Sequence, residues 1–512
     1  MQSTSIGNRM ENNILGGLDN SGLRKGHVKT MFVAGMGFFT DAYLLFVLTV
    51  ASPILASTYG FNLVAIKGTT NLLGFQVLNI QIIEGLISSA VLFGAFFGAL
   101  IFGHISDMYG RKKIYGLELS IMIIFTVLSA ISVNYLMLII TRFIVGIGVG
   151  GDYPISSTIM SEYSSSKHRG KLVSMVFAMQ GFGLVSGALV GLGSIYILPI
   201  ADSWRLMLAF GAIPAIYVVY LRRKLMETPR FSLQVEGNKG AAERAVSSIT
   251  GVTNDGEVER ASQKISRMTN KDYMHSLRKY LLFLVGTTIS WFIFDMAFYG
   301  TTLNNGFILQ QIGYGSSASL RTTIFNTAIG DTVLAGAFAL PGYWISVGLI
   351  DKAGRRLLQW LGFAVMAISY IVLGFEYSFL KTDIDLFIMV FGVSYLFGNI
   401  GPNTTTFILP TELFPTKIRS TAHGIAASIA KLGAGIFTFL FLILGTALGN
   451  GGEFELLGAM AAIGAVVTLL TIRETKGLSL EVASEEPSQG IRNFKPNEKK
   501  KAENVRKTNR IS

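Results

Sequence analysis

The sequence predicts an all-α integral membrane protein with twelve transmembrane helices in two pseudo-symmetric six-helix bundles. Three observations carry that prediction. The chain has 512 residues, 50% of them hydrophobic and only 14% charged, where soluble domains average about 25% charged. Apolar runs long enough to span a bilayer, about 20 residues each, fall at 31–55, 82–104, 113–132, 135–158, 170–196, 205–222, 280–309, 325–349, 357–378, 384–409, 420–446 and 454–472. Lys and Arg collect in alternate connections, near 107–113, 167–169, 351–356 and 417–419, while those near 58–80, 132–135, 192–204, 376–385 and 447–455 carry few. Excess positive charge marks the cytoplasmic side. The alternation therefore predicts a multi-pass protein of the cell membrane with both termini cytoplasmic.

Taken in order, residues 1–30 form a cytoplasmic arm carrying Arg24, Lys25 and Lys29, and 31–222 form the N-terminal six-helix bundle. Residues 223–279 are polar, are punctuated by Pro229, Gly237, Gly240, Gly251 and Gly256, and read as a cytoplasmic linker. The C-terminal bundle covers 280–472, and 473–512 is a basic cytoplasmic tail. The 57 glycines suit close helix packing in lipid, where small residues let backbones approach. With no cysteine, disulfides and thiolate chemistry are excluded, and His27, His104, His168, His275 and His423 show no metal-binding spacing. No cofactor or metal is expected. The net charge of +12 is confined to segments that set topology, which argues against nucleic acid as a partner.

The halves repeat each other. Gly103-x3-Asp107-x2-Gly110-Arg111-Lys recurs as Asp351-x2-Gly354-Arg355-Arg, 244 residues on. Glu162-x6-Arg169 recurs as Glu412-x6-Arg419 after 250, and Asp41 and Asp295 lie 254 apart. A near-constant offset with equal topology means parallel repeats about an axis along the membrane normal, with a solute site between them. Asp107, Arg111, Asp351 and Arg355 are expected to latch the cytoplasmic face.

Six acids interrupt the apolar spans: Asp41, Glu84, Glu118, Asp152, Asp295 and Asp331. A charge at membrane depth costs at least about 2.5–3.5 kcal/mol, so each needs a partner, water or a function. Trp291, Asp295 and Tyr299 fall at i, i+4 and i+8, on one helical stripe. Asp152 and Tyr153 are adjacent and about 100° apart, before Pro154. Gln180 lies mid-span, either as helix glue or as a solute contact. Gly401-Pro402-Asn403 breaks the tenth span, and discontinuous helices are a carrier device for exposing polar groups. Lys431, deep in the eleventh span, is either a ligand for an anion or simply the partner of Asp295. Arg142 and Glu118 form a candidate exit relay toward the cytoplasmic end, or a structural pair. The residues do not decide the roles of Glu84 and Asp331.

One deep cation, neutral donors and carboxylates suit an anion that also carries hydroxyls, because its protonated oxygens donate to carboxylate while its bare oxygens accept. Inorganic phosphate has both kinds of oxygen. A fully deprotonated anion such as sulfate would be repelled by Asp295. No nucleophile–base pair or metal cluster is evident, so no enzymatic activity is expected.

The Gly103–Lys112 loop and Arg142-x3-Gly146-x-Gly148-x-Gly150 resemble signatures of the major facilitator superfamily. Gly150-Gly-Asp152-Tyr-Pro-x-Ser-x-Thr-Ile-Met-Ser-Glu162 resembles the signature of its phosphate:proton symporter family. Trp291-Phe-x2-Asp295-x-Ala-Phe-Tyr299-Gly300 and Gly401-Pro-Asn-Thr-Thr-Thr-Phe407 are similar to two further motifs of that family. The resemblance implies a carrier, functional as a monomer among membrane lipids, that moves phosphate with protons. By that resemblance Tyr153, Gln180, Trp291, Asp295, Tyr299, Asn403 and Lys431 contact phosphate, and Asp41, Asp152 and Asp295 carry protons. The alternatives are a proton-coupled carrier of an organic anion or sugar, and a phosphate sensor that does not transport.

Overall fold

The computed structural model describes residues 14–57, 60–63, 66–72, 75–251 and 270–485. Part of the expected arm (1–13), part of the linker (252–269) and most of the tail (486–512) lie outside the described residues. Apolar runs become helices because lipid offers no partner to a free backbone group. The spans are α1 (Lys25–Ala56), α2 (Asn79–Tyr109), α3 (Leu117–Ala130), α4 (Tyr135–Tyr163) and α5 (Arg169–Ile197). They continue with α6 (Ile200–Arg222), α7 (Leu281–Thr302), α8 (Leu320–Ala353), α9 (Arg355–Phe375) and α10 (Ile384–Leu413). The last helical run, Arg419–Thr471, is 53 residues long. At 1.5 Å per residue that is roughly 80 Å, far more than a hydrocarbon core of about 30 Å. Gly449, at φ 74° and ψ 159°, turns the chain there. The run is therefore two crossings, α11 (419–448) and α12 (450–471), and the described residues hold twelve, as expected.

The connections hold structure that periodicity did not suggest. Between α1 and α2, β1 (Thr69–Leu72) pairs antiparallel with β2 (Phe75–Leu78). The described part of the linker contains three helices, Pro229–Gln234, Lys239–Thr250 and Asn270–Lys279. Its punctuation marks helix ends. Thr228 and Asn238 accept from Phe231 and Ala241 as N-caps, and Gly251 closes a helix at φ 70°. The expected seventh span, 280–309, ends instead at Thr302, followed by a separate turn over Asn305–Gln311.

Packing repeats between the halves. α1 lies on α5 as α7 lies on α11, and α2 lies on α4 as α8 lies on α10. The halves meet where α2 crosses α11 and α5 crosses α8. The α2–α4 contact explains the glycine spacing after Arg142. A Cβ at Gly94, Gly146 or Gly150 would collide with the carbonyl oxygens of Phe143, Val91 and Ala95, so the two backbones touch. Gly193 faces open space. Gly146→Ala is expected to destabilise the purified protein by about 1–3 kcal/mol, through overpacking, and Gly193→Ala to leave its thermal unfolding unchanged. Equal melting of the two variants would contradict this packing.

Candidate functional site

At the centre, Lys431 of α11 donates to Asp295 of α7 at 2.7 Å, and both side chains are 1% exposed. The ammonium lies 4.3 Å from the ring centroid of Tyr153 and 4.4 Å from that of Tyr299, with Trp291 at 5.9 Å. Aromatic faces stabilise a desolvated cation by about 2 kcal/mol or more. The α7 stripe thus presents Trp291, Asp295 and Tyr299 together, as the spacing predicted. Tyr153 and Tyr299 join the halves through their hydroxyls at 3.1 Å. The Trp291 indole and the Asp295 carboxylate are both buried, and the indole N–H interacts with that carboxylate beside the ion pair.

A second set of groups extends this centre across α5, α8 and α10. Gln180 donates to the Tyr153 hydroxyl at 2.9 Å and accepts from Tyr343 at 3.2 Å. Asn403 donates to the Tyr343 hydroxyl at 2.8 Å and to Asn399 Oδ1 at 2.6 Å. Sequence reasoning missed Tyr343 and Asn399. The signal was in two prolines. A proline lacks the N–H that would bond four residues back, and Pro341 and Pro402 adjoin or interrupt wide π-turns over Leu334–Ala339 and Asn399–Asn403. Such turns recur at functional sites.

Toward the face that carries the basic connections, Asp152 and Glu118 share one guanidinium. Arg222 of α6 donates to Asp152 at 2.7 and 2.8 Å and to Glu118 at 2.5 Å, and lies 3.8 Å from the Tyr115 ring centroid. Ser156 donates to Asp152 at 2.6 Å. Asp41 of α1 is buried, with its carboxyl group within side-chain interaction reach of Asp152. It lies within electrostatic reach of Asp152, Arg222 and Glu118 on one side and of Lys431 on the other. Three buried acids thus face one arginine.

The expected pairing of Arg142 with Glu118 is corrected. Because α4 runs toward the basic face, Arg142, in its second turn, lies at the opposite end. It is 10 residues, or roughly 15 Å, from Asp152, and donates to the Leu44 carbonyl. Arg222 holds the place expected for Arg142. It stands at the edge of a span, where the sequence offered only a topological reading.

The basic face is closed by two matching latches. Asp107 bonds Arg111 at 3.0 Å and accepts from the backbone N–H groups of Ser420 and Thr421, at the start of α11 in the other half. Asp351 bonds Arg355 at 2.9 Å and accepts from Lys171 N–H, at the start of α5. Glu162 joins Arg111 to Arg419, and Glu412 joins Arg355 to Arg169. The Glu-Thr pairs at 227–228 and 474–475 belong to the same repeat. Each Glu accepts from the N–H groups of residues 111–112 or 355–356, and each Thr hydroxyl donates to Glu162 or Glu412. One contact breaks the symmetry: Arg230 donates to Glu481 at 3.0 Å and to Asp19 at 2.9 Å. Burial works to raise the Glu481 carboxyl, but the Arg230 guanidinium outweighs it and holds the group below the usual carboxylate range.

Two acids lie away from both clusters. Asp331 accepts from Asn305 at 2.8 Å, and Asn305 in turn accepts from Tyr395. Glu84 is half-buried in the second turn of α2, near the face opposite the latches.

Removing one member of a buried ion pair costs about 3–5 kcal/mol, because the other charge is left unpaired. Asp295→Asn is therefore expected to lower the thermal stability of the purified protein markedly, and adding Lys431→Gln to recover most of it. A double variant no more stable than the single one would contradict this pairing.

Comparisons with known proteins agree with this architecture. A family model described as sugar (and other) transporter matches residues 30–486. The probable inorganic phosphate transporter 1-6 of Arabidopsis thaliana is 36% identical over 94% of this chain and 98% of its own. Inorganic phosphate transporter 1-11 of Oryza sativa subsp. japonica is 35% identical over 83% and 81%, and low affinity inorganic phosphate transporter 3 of Petunia hybrida 34% over 92% and 95%. Among solved structures, the proton:xylose symporter XylE bound to 6-bromo-6-deoxy-D-glucose superposes with a TM-score of 0.71 at 22% identity, covering 89% of this chain and 98% of that one. A partially occluded inward-open XylE from E. coli gives 0.69 at 20%, over 88% and 98%. With the latch repeat, the two bundles and these matches in agreement, the chain belongs to the sugar (and other) transporter family of the major facilitator superfamily, alongside the relatives named as inorganic phosphate transporters.

Proposed function

We propose that the protein is a secondary active transporter that imports inorganic phosphate together with protons by alternating access. The observation that carries this reading is the Lys431–Asp295 pair, buried between the Tyr153 and Tyr299 rings where the halves meet. Bare phosphate oxygens accept from Lys431, Trp291 and the Tyr299 hydroxyl, with Tyr153 lining the same contact, while a protonated oxygen donates to Asp295. Gln180 and Asn403 complete the ligand set. Relatives at 34–36% identity that carry the phosphate transporter name support this choice of solute. A neutral sugar would have no use for a buried ammonium.

Protons enter the account through charge. Asp41, Asp152 and Glu118 lie together with Arg222, so that buried cluster holds more carboxylates than guanidinium groups. Asp41, placed between that cluster and Lys431, receives a proton from the outer side and neutralises the cavity, allowing closure over the anion. Loss of the proton on the cytoplasmic side frees a carboxylate for Lys431 and releases phosphate. Asp295 exchanges its proton with the bound solute, Glu118 and Arg222 form the inner end of the route, and Arg142 supports its outer part. Asp107, Arg111, Asp351 and Arg355 gate the cytoplasmic face. The basic connections support a carrier of the cell membrane with both termini cytoplasmic. It works as a monomer, makes no covalent bonds, and binds no nucleic acid.

The test is labelled-phosphate uptake by liposomes containing the purified protein. Uptake with the outside more acidic is expected to disappear when an uncoupler is added. Asp41→Asn is expected to lose at least about tenfold of the gradient-driven rate, equivalent to about 1.4 kcal/mol, while still exchanging internal for external phosphate. Unchanged gradient-driven uptake in that variant would refute the proton role.

A further inference from the structure

We infer that Tyr343 and Asn399 bias the direction of a hydrogen-bond chain that ends on Tyr299 and favours its hydroxyl as a donor to the solute. This rests on the phosphate reading above. The direction follows from one group that only accepts. Asn399 Nδ2 lies 2.8 Å from the backbone carbonyl of Tyr395. A carbonyl cannot donate, so the amide nitrogen must face it, and Asn399 Oδ1 is left facing Asn403.

The next links follow in turn. Asn403 must present Nδ2 to that oxygen, at 2.6 Å, and its second N–H reaches the Tyr343 oxygen at 2.8 Å. Having accepted, Tyr343 gives its own proton to Gln180 Oε1 at 3.2 Å. The Gln180 amide is thereby oriented with Nε2 toward Tyr153, at 2.9 Å. The Tyr153 and Tyr299 hydroxyls lie 3.1 Å apart and either can donate. Accepting from Gln180 makes Tyr153 the stronger donor of the two, which favours its donating onward to Tyr299. In that direction the Tyr299 proton is left for a solute, and its ring lies against Lys431 beside Asp295.

The consequence is a division of labour. Tyr299 and Lys431 offer protons, so they select bare anionic oxygens, and Asp295 is the acceptor left for a protonated oxygen. The chain crosses between the halves twice, at Tyr153–Tyr299 and at Gln180–Tyr343. Its polarity therefore exists only while the halves are closed around the centre. Tyr343 and Asn399 are positioning residues that act through Tyr299.

The test uses purified full-length protein, with labelled inorganic phosphate as the probe. Tyr343→Phe is expected to weaken equilibrium phosphate binding roughly fivefold, the size of one lost net hydrogen bond, with the maximal rate of phosphate exchange within about twofold of wild type. In a Tyr299→Phe background the same substitution is expected to change binding by less than about twofold, because the chain then has no terminal donor to orient. If Tyr343→Phe does not reach the membrane, Asn399→Ala carries the same cycle. Unchanged binding in the single variant, a loss confined to maximal rate, or a further fivefold loss in the Tyr299→Phe background would overturn the inference. Absence of phosphate binding by the wild type would instead overturn the functional reading beneath it.

Discussion

Lys431 and Asp295 hold the centre of this protein together because neither tolerates burial alone. Each sits on a helix that also lines the boundary between the halves, and the two tyrosines that cover the ammonium come one from each half. A solute that enters must compete for both charges. It can do so only by bringing charge of its own or by being accompanied by a proton. Under the proposed function, that constraint would turn a packing problem into a coupling device, since an anion and a proton together would replace what they disturb.

The same logic governs the basic face at a larger scale. Each latch joins a carboxylate of one half to the first backbone N–H groups of a helix in the other, where the helix dipole favours negative charge. The Glu162 and Glu412 networks tie both latches to the helix ends. Helices α5, α10 and α11 carry groups of both the buried centre and the latches, through Gln180 and Arg169, Asn403 and Glu412, and Lys431 and Arg419. Arg230 adds a third tie, between the linker, the segment before α1 and the segment after α12.

Much of this was legible in the residues. Twelve spans and the two-fold repeat follow from hydropathy and constant offsets, because lipid leaves a chain few choices. The Trp291–Asp295–Tyr299 stripe was legible because helical period alone places it. Partners drawn from distant helices were not. Arg222 looked like one more basic residue at a span edge, and only the fold brings it to Asp152 and Glu118. Arg142 was placed at the wrong end because the direction of α4 was not carried through to the position of each side chain. Tyr343 and Asn399 were hidden because π-turns change which residues face inward, and a periodicity of 3.6 cannot anticipate them. The helices of the linker escaped notice because glycine and proline were taken as signs of irregular chain rather than as caps.

Steady-state accumulation in liposomes, measured against the size of the imposed pH step, tests the central claim most directly. If each monovalent phosphate travels with one proton, the ratio of internal to external phosphate rises about tenfold per pH unit, matching about 1.4 kcal/mol per proton. A ratio that stays at one across all steps, while phosphate still equilibrates, would show that the buried acids are structural and that anion and proton move independently.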